Sequence, residues 1–341
     1  MHMADALISP AVGGTLWAAS VGLLAHCARR VRQSLDDRRV PLMGVIGAFI
    51  FTAQMINFSI PATGSSGHLG GGLILTILLG PHAAFVALAS VLTVQALFFA
   101  DGGLLALGCN IFNLGFFPAF VAYPLIFKPI LGQARGGARL WAGSVIAAVI
   151  GLQLGAFGVV LETTVSGVSD LPFRSFVLLM QPIHLAIGVV EGVATAAVVA
   201  FVLRSRPESL AGAKAGPVVA FNRRRMIVGF LIATVVIGGG VSWFASTRPD
   251  GLEWAMEKAR GKEALASPNG GVHTRLGNVQ EKTAFLPGYD FTARPLADAS
   301  EPARWPSISA GTTVAGLVGG LIVLVLAGLA GMSLRRRRTA P

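Results

Sequence analysis

The sequence predicts an all-α integral membrane protein: a seven-helix bundle, then a two-helix hairpin with a large extracytoplasmic loop. Three observations predict it. Of 341 residues, 53% are hydrophobic and only 13% charged, about half the charged share of an ordinary soluble domain, and the mean hydropathy is +0.69. That composition excludes a soluble single-core protein and a disordered chain, which would be polar and charge-rich. The apolar residues also gather into nine long runs, most of them close to the ~20 residues a spanning helix needs. Finally, the basic residues flank those runs on alternate sides, as the positive-inside rule demands.

The runs cover 7–28, 41–58, 69–81, 82–100, 104–128, 138–162, 174–203, 226–245 and 308–333. The third is short and Gly-rich, and Gly80-Pro81 breaks it from the fourth. It is either a full span or a half-helix that dips into the membrane. With the N-terminus outside and every run crossing, 18 of the 27 Lys and Arg fall on the cytoplasmic side, in clusters around Arg29 to Arg39, Lys128 to Arg139, Arg204 to Arg225 and Arg335 to Arg338. The short outer loops 59–68, 101–103 and 163–173 hold none. Loop 246–307 balances eight basic against eight acidic residues, and long loops escape the rule. The expected topology is nine crossings, N-terminus outside and C-terminus cytoplasmic. The net charge of +11 is then a topology signal and gives no support to nucleic-acid binding.

No positive region precedes the first run, so it reads as an uncleaved helix rather than a signal peptide, and Met1 is expected to remain. Composition divides the chain into a bundle at 1–205, a polar cytoplasmic linker at 206–225 and a second module at 226–338 with outer loop 246–307. Near the start of that loop, Asp250 is placed to cap a short helix with Leu252, Met256 and Ala259 on one side. Cys27 and Cys109 lie in apolar runs without a CxxC pair, which disfavours a disulfide framework or a cysteine zinc site.

In a membrane protein, function is read from polar groups at depth. The N-terminus offers Met1-His2. A free α-amine, the His2 amide nitrogen and the His2 imidazole can close two small chelate rings in one plane, and a further imidazole completes a square. Square-planar nitrogen ligation points to Cu(II) or Ni(II) rather than zinc. His68, in the outer Gly-rich loop Gly64-Ser65-Ser66-Gly67-His68, is the natural fourth ligand. Locally, a frayed terminus and a hydrogen-bonding histidine remain the alternative. Asn57, Ser66, Asn110, Asn113, His184 and Glu191 are candidates for the surroundings of the site or for coupling; His184 and Glu191 share a helix face. Asp101 with its two glycines reads as a tight outer turn or a helix cap. His82 and Cys109 read as structural.

Two other functions have some sequence support. Gly64-Ser65-Ser66-Gly67 matches GxSG, and His184 on a later helix would complete a serine–histidine dyad like that of rhomboid-type intramembrane proteases, although IHLAIG stands in place of AHxxG. A proton-coupled secondary transporter would use Glu191 and His184 as a relay. ATP hydrolysis within this chain is excluded, because ARGKEA lacks the first glycine and the hydroxyl residue of a phosphate-binding loop.

The segments MHMADALISP, GSSGHLGGGLILTILLGP at 64–81, VLTVQALFFADGGLLALGCNIFN at 91–113 and HLAIGVVEG at 184–192 resemble the CbiM/NikM family. These are the substrate-specific (S) components of energy-coupling-factor nickel/cobalt ABC transporters. PDGLE at 249–253, PLADAS at 295–300 and the final helix resemble its small NikN/CbiN partner, so the chain reads as a fusion of the two. The resemblance implies a seven-helix binding component in the bacterial cytoplasmic (inner) membrane, with metal held by the Met1 amine, the His2 nitrogens and His68. Ni2+ or Co2+ is then the transported substrate, with no catalytic cofactor. The implied partners are a transmembrane coupling (T) subunit and separate ATP-binding subunits. The fused architecture leans toward nickel.

Overall fold

The computed structural model describes residues 2–34, 40–134, 136–204, 223–260, 270–291 and 305–334. Met1 and most of the linker lie outside these residues. Six helices are long and apolar enough to cross a membrane. They are α1 (Pro10–Ser34), α4 (Pro81–Phe99), α5 (Leu107–Leu131), α6 (Ala138–Ser166), α7 (Phe173–Arg204) and α11 (Ala310–Ser333). Between them stand the shorter α2 (Val40–Gln54), α3 (Gly72–Leu79), α8 (Arg223–Gly239), α9 (Gly251–Arg260) and α10 (Gly271–Thr283). Large apolar side chains such as Leu125, Val165, Leu178, Phe201 and Ile232 face outward. Exposure of that kind suits lipid contact and not water. The chain is a multi-pass membrane protein.

Within the run 69–81 only Gly72–Leu79, ahead of Pro81, is helical. α3 has 8 residues, about 12 Å of rise against a hydrocarbon core of about 30 Å. Gly80, at φ 84°, turns the chain, and Pro81 opens α4 from its first turn, where a missing N–H costs nothing. A two-residue hairpin, β1 (Phe58–Ser59) with β2 (Ser66–Gly67), pairs Phe58 with Gly67 and Ser59 with Ser66, a small departure from an all-helical chain. α5 also departs from the simple reading. Its middle, Phe112–Phe127, is wound with the wider π repeat around Pro118 and Pro124, where proline has already interrupted the ordinary ladder.

Close backbone approach sets the helix packing. A Cβ at Gly188 would lie 2.8 Å from Val149 Cα, and one at Gly192 would collide with Val145, so α7 lies tightly on α6. In the second module, Gly316 of α11 meets Gly238 of α8, and Gly319 is pressed against Phe51 of α2. Small residues allow such contacts where lipid supplies no hydrophobic drive between helices. The second module is thereby packed onto the first. Its α9 begins with the expected cap: Glu253 N donates to Asp250 Oδ1 at 2.8 Å, and Asp250 N donates to Glu253 Oε2 at 3.1 Å. Leu252 and Ala255 are buried, with Met256 and Ala259 packed against the same core.

Candidate metal centre

The N-terminal segment threads into the bundle. Met3, Leu7 and Ile8 are fully buried. Asn110 of α5 pins Met3 from both sides: Met3 N donates to Asn110 Oδ1 at 2.8 Å, and Asn110 Nδ2 donates to Met3 O at 3.3 Å. Gly103 N donates to the same carbonyl at 2.8 Å. Ala106 N donates to Asp5 Oδ1 at 2.9 Å, so Asp5, not Asp101, serves the start of α5. These bonds fix where His2 stands.

Asp101 instead holds the His2 ring. His2 Nδ1 donates to Asp101 Oδ1 at 2.9 Å, and Tyr289 OH donates to Asp101 Oδ2 at 2.5 Å. Burial would raise the Asp101 carboxyl, but His2 and Tyr289 outweigh it and hold it below the usual carboxylate range. The His2 and His68 rings stack with centroids 5.0 Å apart and planes 23° apart. His68 follows β2 directly, and its Nδ1 donates to Leu69 O at 3.1 Å. A carbonyl only accepts, so the proton is on Nδ1 and the lone pair on Nε2. That Nε2 lies 4.0 Å from Asp250 Oδ2. Burial, reinforced by nearby positive charge including His2, pushes the His68 imidazole down to about 3, against the weaker pull of Asp250 and Asp101. His68 is therefore a neutral nitrogen donor at physiological pH. Burial alone would raise Asp250; nearby positive charge and the hydrogen bond from Glu253 N hold it low instead.

The loop after His68 is clamped from α7. Gly70 N donates to Glu191 Oε2 at 2.8 Å and Gly71 N to Glu191 Oε1 at 3.1 Å. Gln54 Nε2 donates to Gly70 O at 2.8 Å, and Gln95 Nε2 to Gln54 Oε1 at 2.9 Å. Gly71 has φ 74° and abuts Ile50, so the turn needs glycine. The second module reaches the same place. Ser66 N donates to Pro249 O and Ser66 Oγ to Arg248 O, both at 2.8 Å. Gln280 Nε2 donates to Gly102 O at 2.7 Å, and His273 Nε2 to Ile8 O at 2.8 Å.

Of the residues singled out from sequence, His2 and His68 meet directly, and Asn110, Ser66 and Glu191 position them. Asn57 contributes its carbonyl, which accepts from Ser246 N at 2.7 Å. Asn113 lies apart and donates to Glu162 Oε2 at 2.8 Å. His184 and Glu191 share a face but do not bond each other. His184 Nδ1 donates to Met180 O at 2.8 Å, and its Nε2 has no hydrogen-bond partner among the described residues. The serine–histidine dyad is thus unformed, because Ser66 Oγ is committed to Arg248. Met1 lies outside the described residues. Among the described residues no group of three His, Cys, Asp or Glu side chains is placed to hold a metal. Sequence reasoning missed Asp101 as the His2 partner, Tyr289 behind it, and the buried Glu162.

Fold and site together define a multi-pass membrane protein in which a His on the N-terminal segment stacks on a His of the loop before α3. A family model described as the cobalt uptake substrate-specific transmembrane region, CbiM, matches residues 2–209, and a PDGLE domain matches residues 224–336. The fused nickel transport protein NikMN of Rhodobacter capsulatus is 30% identical, with 96% of each chain covered. The cobalt transport protein CbiM of Sorangium cellulosum is 30% identical over 62% of this chain and 94% of its own. A crystal structure of a transition metal transporter is 31% identical, with a TM-score of 0.54 over 62% of this chain and 96% of that one. The chain belongs to the CbiM family and carries a PDGLE domain in the same polypeptide.

Proposed function

We propose that this chain captures Ni2+, or Co2+, for uptake across the cytoplasmic membrane, as the substrate-binding subunit of an energy-coupling-factor transporter. The observation that carries this is the stacking of His2 on His68, two imidazoles 66 residues apart in sequence. The ligands are the Met1 amine, the His2 amide and imidazole nitrogens, and His68 Nε2. His2 closes its chelate ring through Nδ1, the nitrogen now bonded to Asp101, so capture exchanges that bond for a metal bond. Amine, amide and imidazoles must all be unprotonated toward the metal, so affinity falls as pH falls. Planar nitrogen ligation favours nickel over cobalt by intrinsic affinity, and the fused relative from Rhodobacter capsulatus is a nickel transport protein.

The orientation we assign is N-terminus outside and C-terminus cytoplasmic. The placement of Lys and Arg supports it. Residues 1–205 form the binding unit and 226–338 the companion module, joined by 206–225. ATP hydrolysis lies on separate subunits, coupled through a separate transmembrane subunit. His2→Ala and His68→Ala should each abolish nickel uptake while the protein still inserts; normal uptake by either variant would defeat the assignment.

A further inference from the structure

His26 and His82 are two imidazoles with no part in the metal centre. His26 lies on α1 and is exposed; His82 is the second residue of α4 and is half-buried. They are 56 residues apart in sequence, yet their ring centroids stand 5.7 Å apart with planes at 44°. Among the described residues neither ring has a hydrogen-bond or ion-pair partner. Phe120 of α5 meets the His82 ring edge-on, at 5.7 Å and 65°, and itself packs on Phe85 at 5.9 Å. One imidazole is therefore held by packing, and the other stands in the open, where rotamers exchange quickly.

That spacing suits a shared ion. Imidazole nitrogens bind a divalent transition metal at about 2.0–2.1 Å, which sets two adjacent rings on one ion with centroids about 5 Å apart. A small rotation at His26 closes the difference. Because His26 is exposed, the ion keeps water in its remaining positions and needs no enclosed volume. Joining two donors on one scaffold makes the second bond intramolecular and lifts the pair above a lone imidazole.

The pair lies far from His2 and His68. The 19 residues of α4 rise about 28 Å, with His82 at the start and Asp101, the partner of His2, just past the end. The two histidine pairs thus occupy opposite ends of the bundle. Their electrostatics differ as well. Asp101 and Asp250 stand beside His2 and His68, whereas Arg29, Arg30 and Arg32 follow His26 on α1, and Arg30 acts on His82 through space. A cation beside arginines is held more weakly than one beside carboxylates.

We propose that His26 and His82 form a second, weaker site for a hydrated divalent transition-metal ion, Ni2+ or Co2+, at the end of the bundle opposite His2 and His68. In the orientation assigned above that end is cytoplasmic, so the pair meets the ion on the releasing side. This role rests on the uptake reading; the binding itself does not.

The test uses the full chain in detergent with Ni2+ alone as the probe. In a His2→Ala, His68→Ala double variant, calorimetric titration should show one weak equivalent and no tight one. Adding His26→Ala or His82→Ala should weaken that equivalent about tenfold or more. A double variant that binds no nickel, or a weak equivalent unchanged by both further substitutions, would overturn the pair. A tight equivalent that persists in the double variant would refute the His2–His68 reading instead, and loss of the weak one on His26→Ala would still support the pair. The wild type gives a readout that needs no variant to fold: Ni2+ should slow acylation of the His26 imidazole by diethyl pyrocarbonate, followed by peptide mass spectrometry. An unaltered rate at saturating Ni2+ would overturn the pair.

Discussion

Glu191 is the residue whose removal should cost the site most without touching a ligand. Its two oxygens accept from Gly70 N and Gly71 N at 2.8 and 3.1 Å, and the carboxylate is 2% exposed. Glu191→Ala strands two buried N–H groups. Each hydrogen bond to a charged group contributes about 1.5–3 kcal/mol. The Gln54 bond to Gly70 O and the packing of Gly71 on Ile50 remain, so the loop loosens rather than unfolds. If one bond's worth is drawn from metal binding to reorder His68, nickel affinity falls about 10- to 150-fold. Glu191→Gln keeps one acceptor oxygen and should fall between. Calorimetric titration of the purified chain gives the affinities, and thermal melting of the metal-free protein reports the fold. An alanine variant within twofold of wild type in affinity, with an unchanged melt, would refute the idea that α7 holds His68 through this loop.

Other expectations follow from the same contacts. Tyr289→Phe removes the hydroxyl that donates to Asp101 Oδ2 and should weaken nickel binding about fivefold, near 1 kcal/mol; an unchanged Kd would mean that the second module does not support the His2 ring. Gly192→Ala forces a Cβ into Val145 and should destabilise the α6–α7 pair by about 1–3 kcal/mol, read as a lower melting temperature. Burial raises the Asp5 carboxyl above its ordinary 3.8, against opposing hydrogen bonds from Ala106 and its neighbours. Stability linked to this group is full below pH 3.8 and is lost as pH rises through the raised value. Asp5→Asn, which keeps an acceptor for Ala106 N, should therefore flatten the loss of metal-free stability as pH rises above 3.8; an unaltered pH profile would contradict it.

The sequence disclosed most of the spans, because hydropathy and charge placement are properties of each segment alone. It also singles out His2 and His68, whose rings stack, since a terminal Met-His and a histidine among glycines are local patterns. What it left open depended on distance along the chain. Asp101 looked like a turn residue because its partners, His2 and Tyr289, lie 99 and 188 residues away. Asp250 was legible as a helix cap, and it is one, yet its second oxygen faces His68, which no local pattern announces. Glu162 sits in an apolar run where one acid among many aliphatics gives no signal until Asn113 is placed beside it. The run at α3 is ambiguous because eight apolar helical residues suit a dipping segment and a truncated span equally well.

The most direct test joins the mass of the intact purified chain to its nickel content. The account predicts a polypeptide that begins with an unmodified Met1 and holds one tightly bound nickel ion, lost on His2→Ala or His68→Ala. A chain whose first residue is removed or acetylated, yet which retains that ion with undiminished affinity, would contradict it.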